Sequence, residues 1–235
     1  LALLATLLIV IAFGHSSVGA TADSGFSVQV TPSPLIATIE PGKESTLELR
    51  INNTGSTKES YKMALRTFSV DADTGKVDLG NDEPKDIASF VTFEQPGFEL
   101  EPGQWINQRI HVNTPTEAGF SYSFAVMVLR DESAQQNTGA SIQGSVAVFA
   151  LLNVDKPNAT RSLNVLEFSS AKKVYEYLPA TLTLKIKNTG NTIIAPKGNI
   201  FIARNYTSKN HIKELQINQP GGYIVPGSTR SMPAE

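Results

Sequence analysis

The chain has 235 residues, which is enough for one large or two ordinary domains. Its 20 Lys and Arg residues against 22 Asp and Glu residues leave a net charge of -2, which excludes the strongly basic nucleic-acid-binding classes. The absence of cysteine excludes disulfides, thiolate metal sites and cysteine nucleophiles.

The first segment has the pattern of a secretory signal. Leu1–Phe13 is apolar apart from Thr6, and the small residues Val18 and Ala20 follow it at the positions expected before a cleavage site. The apolar run is shorter than the roughly 20 residues that a membrane-spanning helix needs. Ala20-Thr21-Ala22 fits a cleavage site equally well, and we therefore expect residues 1–22 to be a cleaved signal peptide. An exported chain without cysteine indicates the cell surface of a prokaryote.

From residue 26 onward, apolar and polar residues alternate between Pro-Gly and Asn-Thr-Gly turns, which predicts consecutive β-strands. One short helical turn is expected over Lys85–Phe90, because Asp82 can cap it and Pro84 suits its start. In chain order, the predicted strands of the first domain are Phe26–Val30, Leu35–Ile39, Leu47–Ile51, Tyr61–Val70, Lys76–Leu79, Val91–Phe93, Ile106–Val112, Phe120–Leu129 and Ser145–Val154.

An internal repeat predicts the domain organisation. Thr46–Thr57 reads TLELRINNTGST and Thr181–Thr192 reads TLTLKIKNTGNT, so eight of twelve positions are identical. The identity covers both the alternating Leu-x-Leu-x-Ile row and the turn that ends it. The sequence therefore predicts an all-β protein of two tandem immunoglobulin-like β-sandwiches, residues 23–157 and residues 158–235, joined by the polar linker 155–161.

The second sandwich is expected to be truncated. A Pro-Gly turn at Pro102–Gly103 opens the strands that complete the first domain, and its counterpart at Pro226–Gly227 lies close to Glu235. By this alignment the second domain lacks counterparts of Ile106–Val154. A sandwich without those strands would have open edges, so we expect the parent protein to continue, and a membrane anchor beyond Glu235 stays open.

Charge divides between the two domains. Residues 23–157 hold 18 acidic and 10 basic side chains, a balance of -8, whereas residues 158–235 hold 4 and 10, a balance of +6. Two interpretations stay open. Either these are solvated surfaces with some attraction between the domains, or the second domain faces an anionic polymer or lipid headgroups.

The last two predicted strands of the first domain are apolar on both faces. One face of each is core, and the other faces would adjoin if the strands pair as a hairpin. Two interpretations stay open for this apolar set. Either the second domain or the excursion at residues 71–96 covers it, or it binds a partner. If the last strand is also an exposed edge, that edge could pair with a strand of the partner. The six candidate partner-binding residues are Ala125, Met127, Leu129, Ala147, Phe149 and Leu151.

A candidate glycan-binding group is Trp105, Asn107 and Arg109, which share a face if Ile106 and its alternate neighbours point inward. An exposed Trp can stack on a sugar ring beside hydrogen-bonding Asn and Arg. The alternative is a half-buried Trp covered by a loop or by Arg109. The register places Gln108 inward, which is unfavourable for an amide side chain, and a bulge could invert it.

Signals for catalysis and for metal binding are weak. Asp71–Gly75 fails as a calcium-binding EF-hand loop because Lys76 and Asp82 occupy ligand-loop positions that need Gly and Glu, so a hairpin turn is expected. Outside the leader, His111 and His211 are the only neutral-pH bases, and no nucleophile elbow or phosphate loop occurs. We expect a protein that is not an enzyme and has no cofactor or metal.

Several short turn and strand motifs resemble a known family when they are taken together. They are Glu40-Pro41-Gly42, Leu47–Asn53, the hairpin Asp71–Val77, Phe98–Gly103 and Ala118-Gly119 before an aromatic strand. Over residues 25–155 the chain resembles the N-terminal domain of bacterial WxL-interacting cell-surface proteins and, more distantly, that of periplasmic pilus chaperones. The resemblance implies an immunoglobulin-like sandwich, an extracellular location, and association with peptidoglycan or surface proteins.

We therefore predict a non-enzymatic exported protein of the cell surface or envelope that attaches to cell-wall polymer or surface-protein partners. No nucleic acid is expected as a partner. The alternative is a periplasmic chaperone-like subunit that binds its partners by strand addition.

Overall fold

The computed structural model describes residues 26–234 except 72, 73, 75, 132–143, 178, 179, 206, 208 and 209. The predicted signal peptide lies outside these residues. The described chain is almost entirely β-structure and forms two immunoglobulin-like sandwiches, as the repeat predicts. Within the described ranges, no helix combines the length and apolar character that crossing a membrane requires.

Among the described residues, eleven strands and one helical turn build the first sandwich. In chain order they are β1 (Val28–Thr31), β2 (Leu35–Ile39), β3 (Glu44–Asn53), β4 (Glu59–Arg66), β5 (Phe68–Val70), β6 (Val77–Leu79), α1 (Lys85–Ala88), β7 (Val91–Phe93), β8 (Gly97–Leu100), β9 (Trp105–Asn113), β10 (Ser121–Arg130) and β11 (Ser145–Val154). One sheet has the order β1-β3-β9-β7, and the facing sheet has the order β2-β11-β10-β4-β8. The short hairpin β5-β6 stands apart from both sheets.

The core of the first sandwich lies between these two sheets. Leu49, Ile51 and Ile110 from one sheet and Phe124 and Val126 from the other are fully buried. They are alternate residues of their strands, because successive side chains of a strand point to opposite faces. The hydrophobic burial that stabilises the domain therefore follows directly from the period of two in the sequence.

The predicted strand Tyr61–Val70 is divided in the structure. β4 ends at Arg66 and pairs with β10 and β8, whereas β5 starts at Phe68 and pairs only with β6. Thr67 separates them because its backbone bonds to other segments: its N–H donates to the carbonyl of Asp82, and its carbonyl accepts from Gly80. The predicted helical turn is confirmed over Lys85–Ala88, whereas the expected cap by Asp82 is wrong, because Pro84 occupies the N-cap and no side chain caps the turn.

The second sandwich contains five strands in the described residues: β12 (Leu163–Ser170), β13 (Leu182–Asn188), β14 (Gly198–Ala203), β15 (His211–Ile217) and β16 (Thr229–Ala234). They form a sheet of order β12-β13-β16 and a hairpin β14-β15. Its buried core centres on Ile186, Ile224 and Met232. This core is smaller than that of the first sandwich.

The repeat occupies equivalent positions in the two sandwiches. Leu47 of β3 is opposite Ile110 of β9, and Leu182 of β13 is opposite Ala234 of β16. The prediction that the second domain lacks every counterpart of Ile106–Val154 is therefore wrong in part. Residues 229–234 pair with β13 as residues 105–110 pair with β3. The alignment missed this strand because its alternation is short and contains Pro233.

Candidate functional site

Strand β11 has a free edge along half of its length. On one side it pairs with β10, from Ser145 to Asn153. On the other side it pairs with β2, in parallel, only from Ala150 to Val154. Among the described residues, no strand pairs with that second side over the five residues Ser145–Phe149, which we call the free edge. Their backbone N–H and C=O groups on this side therefore have no strand partner in the described part of the chain.

The side chains of the free edge point alternately to two surfaces. Val148 is fully buried in the core between the sheets, and Val146 points to the same side. Ala147 and Phe149 point to the outer face and are half-buried. A strand added here would continue both surfaces, with one row of side chains over the core and the other beside Phe149.

The six candidate partner-binding residues do share the outer face of the β10-β11 pair. Ala125 lies opposite Phe149, and Met127 lies opposite Ala147. The centre of this face is covered, because Ala125, Met127 and Leu151 are buried. Leu129, Ala147 and Phe149 are half-buried. Their role in binding a partner stays a prediction, and only the half-buried members are within reach of one.

The hairpin β5-β6 forms part of the cover. The ring of Phe68 packs at 4.8 Å, centroid to centroid, from the ring of Phe149. Phe68 precedes the excursion at residues 71–96 that the sequence indicated as a cover, and the exposed residues Val77 and Leu79 of that excursion add further apolar surface.

A cleft of about 270 Å³ opens next to Phe149, between the two sandwiches. The first sandwich contributes Pro34, Phe68, Val70, Val77, Phe149 and Leu151. The second contributes Pro220–Val225 and Ser228–Arg230. Arg230 is the one charged residue of this lining, so the cleft is mainly apolar. Sequence analysis missed Pro34 and Tyr223, because no local pattern shows that distant loops meet.

A buried ion pair lies near the other end of the free edge. A guanidinium nitrogen of Arg130 is 2.8 Å from Oε1 of Glu59, and both side chains are almost fully covered. The hydroxyl of Tyr61 is buried beside them and has no hydrogen-bond partner in the described structure. Burial, reinforced by the Glu59 carboxylate and opposed by Arg130, raises the pKa of Tyr61 to about 12.

The predicted register of β9 is confirmed. Trp105, Asn107 and Arg109 are exposed, and Ile110 and Val112 are buried. The three residues therefore do share one face of the sheet. Their glycan-binding role stays a prediction.

The ring of Trp105 is partly covered, although by a residue that the sequence did not indicate. The guanidinium of Arg50 lies 4.8 Å from the ring centroid of Trp105. Arg109 instead pairs with Glu48 and Glu94, each at 3.7 Å. Arg50 thus leaves less of the indole face open to a sugar.

Gln108 points into the core and is satisfied there. It is almost fully buried. Its side-chain Nε2 donates to the carbonyl of Gln95, and its Oε1 accepts from the N–H of Gln95 at 3.3 Å. The inward amide therefore needs no bulge, because an unpaired backbone segment beside β9 supplies both of its partners.

The residues considered for metal binding and for acid-base chemistry take part in local contacts instead. Among the described residues, no group of three or more His, Asp or Glu side chains could hold a metal ion. Asp71 instead accepts hydrogen bonds from the backbone N–H and the hydroxyl of Thr74, as a hairpin turn would. His111 pairs with Glu44, 3.0 Å away, on the exposed sheet face.

Comparison with known proteins gives likeness at the level of structure. No protein-family model and no curated protein match the chain, so the resemblance to WxL-interacting proteins stays a prediction. A chaperone–tip adhesin complex of CFA/I fimbriae is 14% identical at a TM-score of 0.49, over 87% of this chain and 84% of that chain. The E. coli chaperone DraB is 14% identical at a TM-score of 0.48, over 88% of this chain and 85% of that chain. The class 5 fimbriae chaperone CfaA is 12% identical at a TM-score of 0.48, over 86% of this chain and 84% of that chain. Identities of this size assign no function.

Proposed function

We propose that this chain is a non-enzymatic exported binding protein that holds a partner polypeptide by accepting one of its β-strands along the free edge, Ser145–Phe149. The observation that carries the proposal is the incomplete pairing of β11, which has β10 along one side and β2 along only half of the other. A half-paired strand within an otherwise paired sheet presents a ready template for a further strand.

The composition of the free edge supports this role. Its sequence, SVAVF, contains no proline and no charged residue. Exposed edges in natural sheets are usually protected by such residues, or by a bulge or a covering segment, because they otherwise pair with other chains. Val and Phe also favour the extended conformation that a template needs.

The geometry also limits the partner. Because β2 takes over the edge at Ala150, an added strand has about five residues of β11 to pair with. Val146 and Val148 are on the core side, and Ala147 and Phe149 are on the outer side, so apolar side chains on both faces of the added strand would meet apolar neighbours. The fitting partner is a short apolar strand without proline.

Strand addition is favoured here over attachment to a cell-wall polymer. Wall polymers carry sugars, and the exposed aromatic residue proposed for them, Trp105, is capped by Arg50. The unpaired backbone of β11, in contrast, is complementary to any extended polypeptide. Of the two functions predicted from the sequence, the chaperone-like alternative therefore uses a feature that the structure contains.

Binding of a dye-labelled synthetic peptide of alternating Val and Thr, followed by fluorescence anisotropy, tests the proposal. Phe149→Asp places a charge beside the added strand and should weaken binding by about tenfold or more, equivalent to about 1.4 kcal/mol. The matched control is Ile36→Asp, an equal change on the exposed face of β2, next to the free edge but outside it. Circular dichroism should show that both variants stay folded.

Hydrogen exchange locates the peptide independently of the variants. The backbone amides of Ser145–Phe149 that point away from β10 should become protected when the peptide is bound, whereas those of the edge strand β7 should not. Binding with no protection in Ser145–Phe149, or equal loss of affinity in both variants, would refute strand addition at this edge.

A further inference from the structure

One turn of the second sandwich is hydrogen-bonded to the end of the β10-β11 pair. The side-chain Nδ2 of Asn153 donates to the carbonyl of Ile193 at 3.1 Å, and the N–H of Ile193 donates to Oδ1 of Asn153 at 2.8 Å. Ser121 lies opposite Asn153 across the two strands, and its hydroxyl donates to the carbonyl of Asn191 at 3.2 Å. A single amide side chain thus satisfies both backbone groups of Ile193.

The docked turn is tied to the core of the second sandwich. Thr192 and Ile193 are buried, which limits the competition of water for these hydrogen bonds. The fully buried Asn188 donates to the carbonyl of Thr192 at 2.8 Å and ties the turn to the second core. A contact with this turn therefore acts on the whole second sandwich.

The linker is bound on both sides of Pro157. On the first sandwich, the N–H of Asp155 donates to the carbonyl of Ile39 at 2.8 Å, and the ammonium of Lys156 lies 4.3 Å from the ring centroid of Phe120. On the second, the N–H of Thr160 donates to the side chain of Asn191 at 2.6 Å. A linker bound in this way leaves little freedom for one sandwich to swing.

A continuous path leads from Asn153 to the cleft. The residue after Ile193 is Ile194, which exchanges two backbone hydrogen bonds with Ile224, at 3.1 and 2.8 Å. Tyr223 and Val225, on either side of Ile224, line the cleft opposite Phe149. Asn153 thus positions the far wall of the cleft without touching it.

From this path we infer that Asn153 is a positioning residue, which fixes the orientation of the second sandwich and so holds Tyr223 and Val225 beside the free edge. The effect of Asn153 on peptide binding rests on the proposed function, whereas its effect on the orientation of the second sandwich does not. A wall held in place before the partner arrives lowers the cost of ordering the site on binding.

Distance measurements between two spin labels test the orientation directly. The chain contains no cysteine, so Glu48→Cys and Lys187→Cys, both exposed and one in each sandwich, provide the two labelling sites. Asn153→Ala removes both hydrogen bonds to Ile193 and should broaden the distance distribution. Asn113→Ala, an exposed asparagine at the end of β9, is the matched control and should leave the distribution narrow.

The same two variants are then tested with the Val-Thr peptide. Asn153→Ala should bind it about fivefold more weakly than the control, since the cleft wall is no longer held in place. An unchanged distance distribution would overturn the role of Asn153 in orientation, and a broadened distribution with unchanged affinity would overturn its role in the site. If the unmodified protein does not bind the peptide, the proposed function is wrong, and the distances still decide the orientation.

Discussion

Asn53 and Asn188 occupy the same position of the repeat, and each makes the same three hydrogen bonds in its own sandwich. Nδ2 of Asn53 donates to the carbonyls of Thr57 at 2.7 Å and Leu100 at 3.0 Å. Its Oδ1 accepts from the N–H of Gly55 at 2.9 Å. The side chain therefore ties its own turn to the end of β8.

In the second sandwich, Nδ2 of Asn188 donates to the carbonyls of Thr192 at 2.8 Å and Ile224 at 2.9 Å. Its Oδ1 accepts from the N–H of Gly190 at 3.0 Å. Both asparagines are fully buried. The duplicated Asn-Thr-Gly is thus a hydrogen-bonding unit that recurs in both sandwiches of this chain, and it provides partners for polar groups that would otherwise be buried without them.

We predict that Asn53→Ala lowers the free energy of unfolding by about 3 kcal/mol, since three hydrogen bonds are lost and backbone groups are left buried without partners. Urea denaturation followed by circular dichroism measures the change. Asn113→Ala, at an exposed position, should cost less than about 0.5 kcal/mol. Similar values for the two variants would contradict the role of Asn53.

The Pro-Gly turns give a second prediction. Gly103 and Gly227 have φ values of +75° and +76°, which residues other than glycine rarely adopt. A methyl group at either position would meet no atom within 4 Å. Gly103→Ala should therefore cost about 1 kcal/mol through backbone strain alone. Gly97→Ala in β8, where φ is not in that region, is the control for thermal unfolding. Equal melting temperatures for both variants would count against strain at Gly103.

Tyr61 predicts a pH dependence. Its pKa rises from 10.0 to about 12 in the folded state, chiefly through burial. Because the folded protein holds this proton more tightly than the unfolded chain does, the contribution to stability is complete below pH 10 and is lost as the pH rises through about 12. Tyr61→Phe should abolish this alkaline loss of stability, which amounts to about 3 kcal/mol.

The control for this experiment is Tyr177→Phe, at a tyrosine whose side chain is largely exposed. Urea unfolding at a series of pH values from 7 to about 12 measures the free energy of unfolding of both variants. If the free energy of unfolding of Tyr61→Phe falls with alkaline pH as steeply as that of the unmodified protein, the phenol of Tyr61 does not titrate as described.

Trp105 is the single tryptophan and reports on its own surroundings. Arg50→Ala should shift its fluorescence emission to longer wavelength, because the guanidinium stacked on the ring is replaced by water. Arg109→Ala removes an equal charge from the same sheet face, where Arg109 pairs with Glu48 and Glu94, and should leave the emission unchanged. A shift in both variants would indicate a general change of charge.

Much of the fold could be predicted because its signal is local. The alternation around Leu47 and Ile110 fixes which side chains are buried, since a strand has only two faces. Even the inward Gln108 follows from that register. Its hydrogen-bond partner Gln95 could not be predicted, because no local pattern links Gln108 to an irregular segment 13 residues away.

The sequence by itself therefore determined the class of fold, the repeat and the inward faces of the strands, since each depends on side chains a few positions apart. Only the tertiary structure decided that β2 pairs with β11 no further than Ala150, that Ala125, Met127 and Leu151 are buried on the outer face, and that Asn153 is hydrogen-bonded to Ile193 of the second sandwich. These features depend on where distant segments meet, and the free energy of such contacts is set by packing and by buried polar groups rather than by any local period.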